Sequence, residues 1–110
     1  MNVNDYIAAN RGMDGYSWLT PRIYCADGFH LSVQASDSAY CSPRYNEGPW
    51  CSVEVGFPSA VPELILSYAE DDDNPLGTVY GYVPVELVDE LVALHGGIAN
   101  TDGARLEMQP

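Results

Sequence analysis

The chain has 110 residues and carries 16 Asp and Glu side chains against four Arg and no Lys, which gives a formal net charge of −12 at pH 7. Charged residues are only 18% of the sequence, below the roughly 25% usual for soluble domains, so the acidity comes from missing bases. This charge argues against direct binding to nucleic acid or to an anionic membrane surface. It favours a basic protein surface as the partner.

Composition and length indicate one folded domain. Hydrophobic residues make up 46% of the chain, with eight Tyr and two Trp, which is unlike a disordered acidic tail. We predict a single domain at residues 1–99 and a flexible C-terminal tail at 100–110. No apolar run approaches the roughly 20 residues of a membrane-spanning helix, and residues 1–7 lack a basic segment followed by an apolar one. We therefore expect a soluble, cytoplasmic protein.

The first elements in chain order are a short helix and a hairpin. Asn2 or Asn4 is a suitable N-cap for a helix over residues 5–10. Asp27-Gly28 predicts a type I′ turn, which joins strands in the segments 23–26 and 29–35. Apolar and polar residues alternate along the second of these strands. That pattern indicates one buried face and one solvated face.

The middle of the chain predicts an irregular segment, a strand and a helix. Residues 36–50 are rich in turn-forming residues. Residues 51–55 alternate in hydrophobicity and predict a third strand. Ser59 is a candidate N-cap for a helix that runs to about Ala69, with Pro62 in its first turn.

The last third of the chain predicts an acidic loop at 70–75, a strand at 78–83 and a final helix. Gly81 indicates a β-bulge or a close backbone approach within the strand. Pro84 begins the helix and Gly96-Gly97 ends it. The period-3.6 apolar stripe of this helix comprises Leu87, Val88, Leu91, Val92 and Leu94. The element order predicts an α+β fold, a four-stranded mainly antiparallel sheet with two or three helices packed on one face.

Residue types that usually carry chemistry are few and widely spaced. The closely spaced ligand pairs of structural zinc sites are absent, so we predict no metal and no cofactor. Nucleophile-elbow, phosphate-loop and metalloprotease motifs are also absent. An acidic environment raises the pKa of a thiol, so we predict that the protein is not an enzyme. A small enzyme that uses Cys25 or Cys41 stays as an alternative. The potential metal-binding side chains are Cys25, Cys41, Cys51, His30 and His95.

Two groups of residues are candidates for partner contacts. Exposed carboxylates would pair with Arg and Lys of a partner, and aromatic residues in the irregular segment would anchor a second contact. The acidic candidates are Glu70, Asp71, Asp72, Asp73, Glu86, Asp89 and Glu90. The aromatic candidates are Tyr40, Tyr45 and Trp50.

Several segments resemble a family of small acidic proteins of bacteriophages and prophages, over most of residues 22–98. The segments that carry the resemblance are 25–35, 40–44, 53–59, 78–86 and 95–97. Proteins of this kind are similar in character to anti-CRISPR proteins, many of which occupy the nucleic-acid groove of a CRISPR effector. The resemblance implies a non-enzymatic inhibitor in the host bacterial cytoplasm, which binds a basic surface of a CRISPR-Cas effector subunit and blocks DNA access. A structural or assembly protein of a phage particle is the alternative within this family.

Overall fold

A computed structural model describes residues 1–12 and 18–100 of the chain. Its elements are α1 (Val3–Asn10), β1 (Ile23–Tyr24), β2 (His30–Gln34), β3 (Ser52–Gly56), a 3-10 helix (Glu63–Tyr68), β4 (Val79–Pro84) and α2 (Val85–Leu94). The strands form one antiparallel sheet in the order β1-β2-β3-β4. This confirms the predicted α+β fold with a four-stranded antiparallel sheet. Residues 101–110 of the predicted tail lie outside the described residues.

Helix α1 begins two residues earlier than predicted, and Asn2 is its N-cap. The Asn2 side chain accepts a hydrogen bond of 2.8 Å from the amide of Asp5. Asn4 has a different role. Its side chain accepts from the amide of Trp50 at 2.7 Å and donates to the carbonyl of Trp50 at 2.9 Å. Asn4 therefore ties α1 to the start of the segment that leads into β3.

The β1–β2 turn forms at Asp27-Gly28, but it is not the two-residue type I′ turn. Hydrogen bonds from Gly28 N to Cys25 O and from Cys25 N to Phe29 O close a three-residue loop. Only Gly28 has a positive φ, +98°, which fits a turn followed by a glycine bulge. The Asp27 carboxylate accepts from Phe29 N at 2.9 Å, so the side chain of Asp27 stabilises this different turn.

The α-helix predicted from Ser59 is wrong, because the segment forms only the 3-10 helix Glu63–Tyr68. Ser59 does not cap it. The Ser59 hydroxyl accepts from His30 N at 2.9 Å, and Ser59 N donates to His30 O at 2.8 Å. These bonds hold residue 59 against β2. Pro62 occupies the N-cap position of the 3-10 helix, and its side chain makes no capping hydrogen bond.

A β-bulge interrupts the pairing of β3 with β4. Val55 pairs with Tyr80, but Val53 pairs with Val83, so β4 has one extra residue at this point. The bulge shifts the phase of the strand, which buries both Tyr80 and Val83. It leaves Tyr82 exposed, with a left-handed φ of +54°.

Helix α2 begins after Pro84 and ends at Gly96-Gly97, as predicted. The amides of Gly96 and Gly97 donate to carbonyls of the last turn, and both residues have positive φ. The predicted stripe is wrong at Leu94, which is exposed beside the helix end. The buried residues of α2 are Val85, Val88, Leu91 and Val92.

The folded domain extends to Asn100, one residue beyond the predicted boundary. The Asn100 side chain is 0% exposed. It donates to the Tyr6 hydroxyl at 3.1 Å and to Arg22 O at 2.7 Å, and it accepts from Tyr24 N at 2.8 Å. Asn100 therefore belongs to the core between α1 and β1 and not to a loose tail.

Candidate protein-binding surface

The segment that joins the 3-10 helix to β4 carries four consecutive acids, residues 70–73, and these four residues are here called the acidic loop. Glu70 N donates to Val79 O at 3.0 Å, and Asp71 N donates to the Thr78 hydroxyl at 3.2 Å. The start of the loop is thereby fixed to the start of β4. All four acidic side chains are exposed. The loop therefore holds a short row of carboxylates in solvent at one end of a strand.

Three of these carboxylates approach one another closely enough to share a cation. One oxygen each from Asp71, Asp72 and Asp73 lies within 4.8 Å of the others. Asp71 already accepts a hydrogen bond of 3.1 Å from Asp73 N. Exposed acids grouped in this way also occur on surfaces that bind no ion, so the grouping by itself identifies no metal site. The Cys and His residues form no such group in the part of the chain that the structure describes.

The acidic residues of α2 divide into two kinds. Glu86 and Glu90 are exposed. Asp89 is half-buried, and its Oδ1 accepts from Val3 N at 2.8 Å, so it caps the start of α1. Burial raises the pKa of Asp89, the Val3 hydrogen bond opposes this, and the negative charges of Glu86 and Asp5 add to the increase. Asp89 is therefore a structural residue, and it offers little to a partner.

The acidic loop and the acids of α2 lie at opposite ends of β4. The loop is bonded to the first residue of β4, whereas α2 begins directly after the last. A strand of this length spans about 20 Å at ~3.3 Å per residue. These two groups of carboxylates, here called the acidic patches, are thus joined to opposite ends of β4.

The three aromatic candidates differ in accessibility. Tyr40 is 41% and Tyr45 is 67% exposed, so both are available to a partner. Trp50 is 3% exposed. Its indole N–H donates to Tyr45 O at 3.2 Å, and its backbone is held by Asn4. The prediction that Trp50 contacts a partner fails on this burial, because its ring already packs within the protein.

One arginine is held by aromatic rings. The guanidinium carbon of Arg11 lies 4.7 Å from the ring centroid of Trp18 and 5.1 Å from that of Trp50. Its three nitrogens are buried and have no hydrogen-bond partner among the described residues. Burial lowers the pKa of Arg11. Cation–π contacts of this kind hold the cation without a carboxylate.

The other two described arginines also bond to groups that are not carboxylates. Arg22 donates to the carbonyl of Phe57 and, at 3.1 Å, to Nδ1 of His30. The guanidinium carbon of Arg44 lies 5.8 Å from the ring centroid of Tyr40. Within residues 1–12 and 18–100, the one contact at ion-pair distance joins His95 Nδ1 to Asp27 Oδ2 at 2.7 Å, and it is an ion pair only when the imidazole is protonated. The carboxylates of both acidic patches are therefore free of internal arginine partners.

A groove of about 350 Å³ connects one aromatic candidate with the acidic loop. It is lined by Tyr40, Tyr68, Glu70, Gly81 and Tyr82. The rings of Tyr40 and Tyr82 lie 6.0 Å apart, centroid to centroid, at an angle of 33°. Tyr82 is 48% exposed. Sequence reasoning identified Tyr40 and Glu70 but missed Tyr68 and Tyr82.

Gly81 was the sequence signal for this groove. It lies in the bulge of β4, and a Cβ placed on it would lie 3.4 Å from the Cβ of Tyr40. The neighbouring amide of Tyr82 donates to Tyr40 O at 3.0 Å. Both predictions for Gly81, a bulge and a close backbone approach, are therefore confirmed. A side chain at this position would therefore contact the side chain of Tyr40 closely.

The two buried cysteines, Cys25 and Cys41, lack the environment of a nucleophile. Burial, with a contribution from Asp27, raises the pKa of Cys25 to about 11. Burial is also the largest cause of the raised pKa of Cys41. The His95 imidazole lies against the Asp27 carboxylate and stacks on Phe29 at 3.9 Å between centroids. At neutral pH very little thiolate would form at either buried cysteine, which argues against the cysteine-dependent alternative.

Comparison of the chain with protein-family models, with curated proteins and with solved structures gives no match. Among the described residues, no helix has the length and apolar character that crossing a membrane requires. A proposal about function therefore rests on the surface chemistry of this chain alone.

Proposed function

We propose that this protein is a non-enzymatic inhibitor of the anti-CRISPR type. It binds a basic, nucleic-acid-binding surface of a CRISPR effector subunit and blocks the access of DNA. The observation that carries the proposal is which partners the arginine and carboxylate side chains have within the protein. The described arginines are committed to rings, carbonyls and an imidazole, which leaves the carboxylates of the acidic loop, Glu86 and Glu90 free to pair with cations of another protein.

The acidic loop is the principal contact in this proposal. Its carboxylates point into solvent from a backbone that is fixed to β4. A surface evolved to hold DNA phosphates presents Arg and Lys, and a row of fixed carboxylates competes for the same donors. The net charge of −12 accelerates the encounter with such a surface at low salt. Glu86 and Glu90, which follow β4 on α2, supply further exposed carboxylates.

The test is competition for DNA binding by a purified, guide-loaded CRISPR effector. Band-shift titrations at rising protein concentration would compare the wild type with the triple variant Asp71→Asn, Asp72→Asn, Asp73→Asn. We expect the wild type to release DNA, and we expect the triple variant to need at least a tenfold higher concentration. That ratio corresponds to ~1.4 kcal/mol in total, a modest sum for three charge-assisted contacts.

A matched control separates the position of the charge from its amount. The variant Asp37→Asn, Glu47→Gln, Glu63→Gln also removes three exposed carboxylates, all outside the acidic loop. It should inhibit nearly as well as the wild type. Equal loss in both triple variants would show that net charge alone acts. No DNA release by the wild type, across effectors of different subtypes, would overturn the proposal.

A further inference from the structure

The groove between Tyr40 and Tyr82 combines aromatic walls with negative charge. Tyr68 completes the aromatic lining, and Glu70 brings the first carboxylate of the acidic loop into the same space. Electron-rich ring faces attract cations, and the attraction is larger where a carboxylate lies nearby. The groove therefore has the chemistry of a cation-binding site, not of a site for an apolar or anionic ligand.

Charges around the groove strengthen this interpretation. The carboxylate of Glu54 accepts a hydrogen bond of 3.0 Å from Tyr40 N, which places a second acid behind the Tyr40 wall. The guanidinium carbon of Arg44 lies 5.8 Å from the Tyr40 centroid. It is not among the residues that line the groove. Tyr40 thus already shows that one of these rings accommodates a guanidinium.

We propose that this groove binds the guanidinium of an arginine side chain from a basic segment of the partner protein, an inference that rests on the proposed function. A planar guanidinium stacks on phenol rings and simultaneously donates to a carboxylate such as Glu70. A lysine ammonium is a compact, strongly hydrated charge, so it stacks on the phenol rings less well than a guanidinium does. Arginine is therefore the preferred occupant.

The backbone of Tyr82 supports a binding role for this residue. Its φ of +54° lies in the left-handed region, which is sterically costly for a residue other than Gly. The protein keeps Tyr82 in this conformation although the residue is 48% exposed, so burial of the ring offsets only part of the conformational cost. Strained positions of this kind concentrate at binding sites. The strain also makes Tyr82→Gly a useful variant, because glycine adopts this conformation freely.

The test measures the affinity of a tetra-arginine peptide and of a tetra-lysine peptide by isothermal titration calorimetry at low salt. Both peptides carry the same charge, so the ratio of their affinities is independent of net charge, and the change of this ratio in Tyr82→Gly reports on the groove. We expect the wild type to prefer tetra-arginine by about 2- to 5-fold, the effect of one exposed cation–π contact. Tyr82→Gly should abolish the preference.

Tyr45→Ala serves as the control for Tyr82→Gly, and Glu63→Gln serves as the control for Glu70→Gln. Tyr45→Ala removes a more exposed tyrosine that does not line the groove, and it should keep the arginine preference. Glu70→Gln and Glu63→Gln each remove one exposed carboxylate, but only the first lines the groove. We expect Glu70→Gln to reduce the preference for arginine and Glu63→Gln to preserve it.

The outcomes distinguish this inference from the proposed function. Equal binding of both peptides to the wild type, or an arginine preference that survives Tyr82→Gly, would overturn the groove as an arginine site. If the triple variant of the acidic loop still lost inhibition in that case, the proposed function would stand without the groove. An intact arginine preference in a protein that never releases DNA from an effector would support the groove and overturn the function.

Discussion

The half-buried carboxylate of Asp89 allows a stability prediction in which hydrogen bonding and charge are separable. Replacing Asp89 with Ala leaves the amide of the fully buried Val3 without its acceptor. An unsatisfied buried donor costs about 1–3 kcal/mol. Relief of the repulsion with Glu86, three residues away, returns about 0.2–0.5 kcal/mol. We expect Asp89→Ala to lower the free energy of unfolding by about 1–2.5 kcal/mol.

Asp89→Asn keeps an acceptor for Val3 and removes the charge. Burial raises the pKa of Asp89 in the folded protein, so the folded state holds this proton more tightly than the unfolded chain does. The stability that this group contributes is therefore fully present below its unfolded pKa of about 3.9, and it is lost as pH rises through the folded pKa. The free energy of unfolding of Asp89→Asn, relative to wild type, should increase between about pH 3 and about pH 7.

Urea unfolding followed by tryptophan fluorescence measures both effects. At about pH 7 the expected order of stability places Asp89→Asn level with or above the wild type, and both above Asp89→Ala. The reasoning fails if Asn is as destabilising as Ala at neutral pH, because the hydrogen bond would then depend on the charge. It also fails if the Asn variant loses stability relative to wild type as pH rises.

Three further predictions address other parts of the molecule. Asn100→Ala should lower the free energy of unfolding by about 1–3 kcal/mol in urea, because it leaves the amide of Tyr24 without its acceptor, whereas the Tyr6 hydroxyl and Arg22 O remain bonded to each other. Iodoacetamide should label Cys25 much more slowly than the exposed Cys51 at neutral pH, since the pKa of Cys25 is about 11. The carboxyl of Asp27 should titrate by NMR below its ordinary pKa, because Phe29 N and His95 bond to the carboxylate. Its contribution to stability is thus present above about pH 3.9 and is lost as pH falls from there.

Sequence reasoning succeeded where a residue has strong conformational requirements of its own. Gly96-Gly97 predicted the end of α2, because few other residues adopt the positive φ of these positions. Gly81 predicted the bulge and the close approach of Tyr40, where the lack of a side chain leaves room for the neighbouring chain. Alternating hydrophobicity predicted β2 and β3, since one face of each strand packs against the core. These signals are local, and each of them is visible within a few residues.

It failed where the partner of a side chain lies far away in the chain. Nothing near Ser59 indicates that its hydroxyl bonds to His30 and not to the start of a helix. Trp50 has the composition of an interface anchor, but Asn4, 46 positions away, holds it in the interior. Asp89 follows the pattern of an exposed helical acid, yet its carboxylate caps a helix 86 positions away. Each error arises from a tertiary contact that no sequence window contains.

The groove shows how local and distant signals combine. Gly81 indicates that a backbone comes close, but the sequence does not say that Tyr40 is the group that approaches. The bulge then reverses the phase of β4, which buries Tyr80 and exposes Tyr82. Simple alternation would have placed Tyr80 and Tyr82 on the same face. The aromatic wall therefore exists because of one extra residue in the strand.

The absence of lysine and the use of each described arginine have one physical consequence. Arg11 lies between indole rings and Arg22 bonds to a carbonyl, so neither forms an ion pair with a carboxylate of the acidic loop. A lysine beside the acidic loop would pair with it and would also lower the attraction for any external cation. Among the described residues, the arginine that could compete with a partner arginine in this groove is Arg44, which lies over Tyr40. The same shortage of bases that makes the chain acidic thus leaves both the carboxylates and two of the three groove tyrosines open to the cations of another protein.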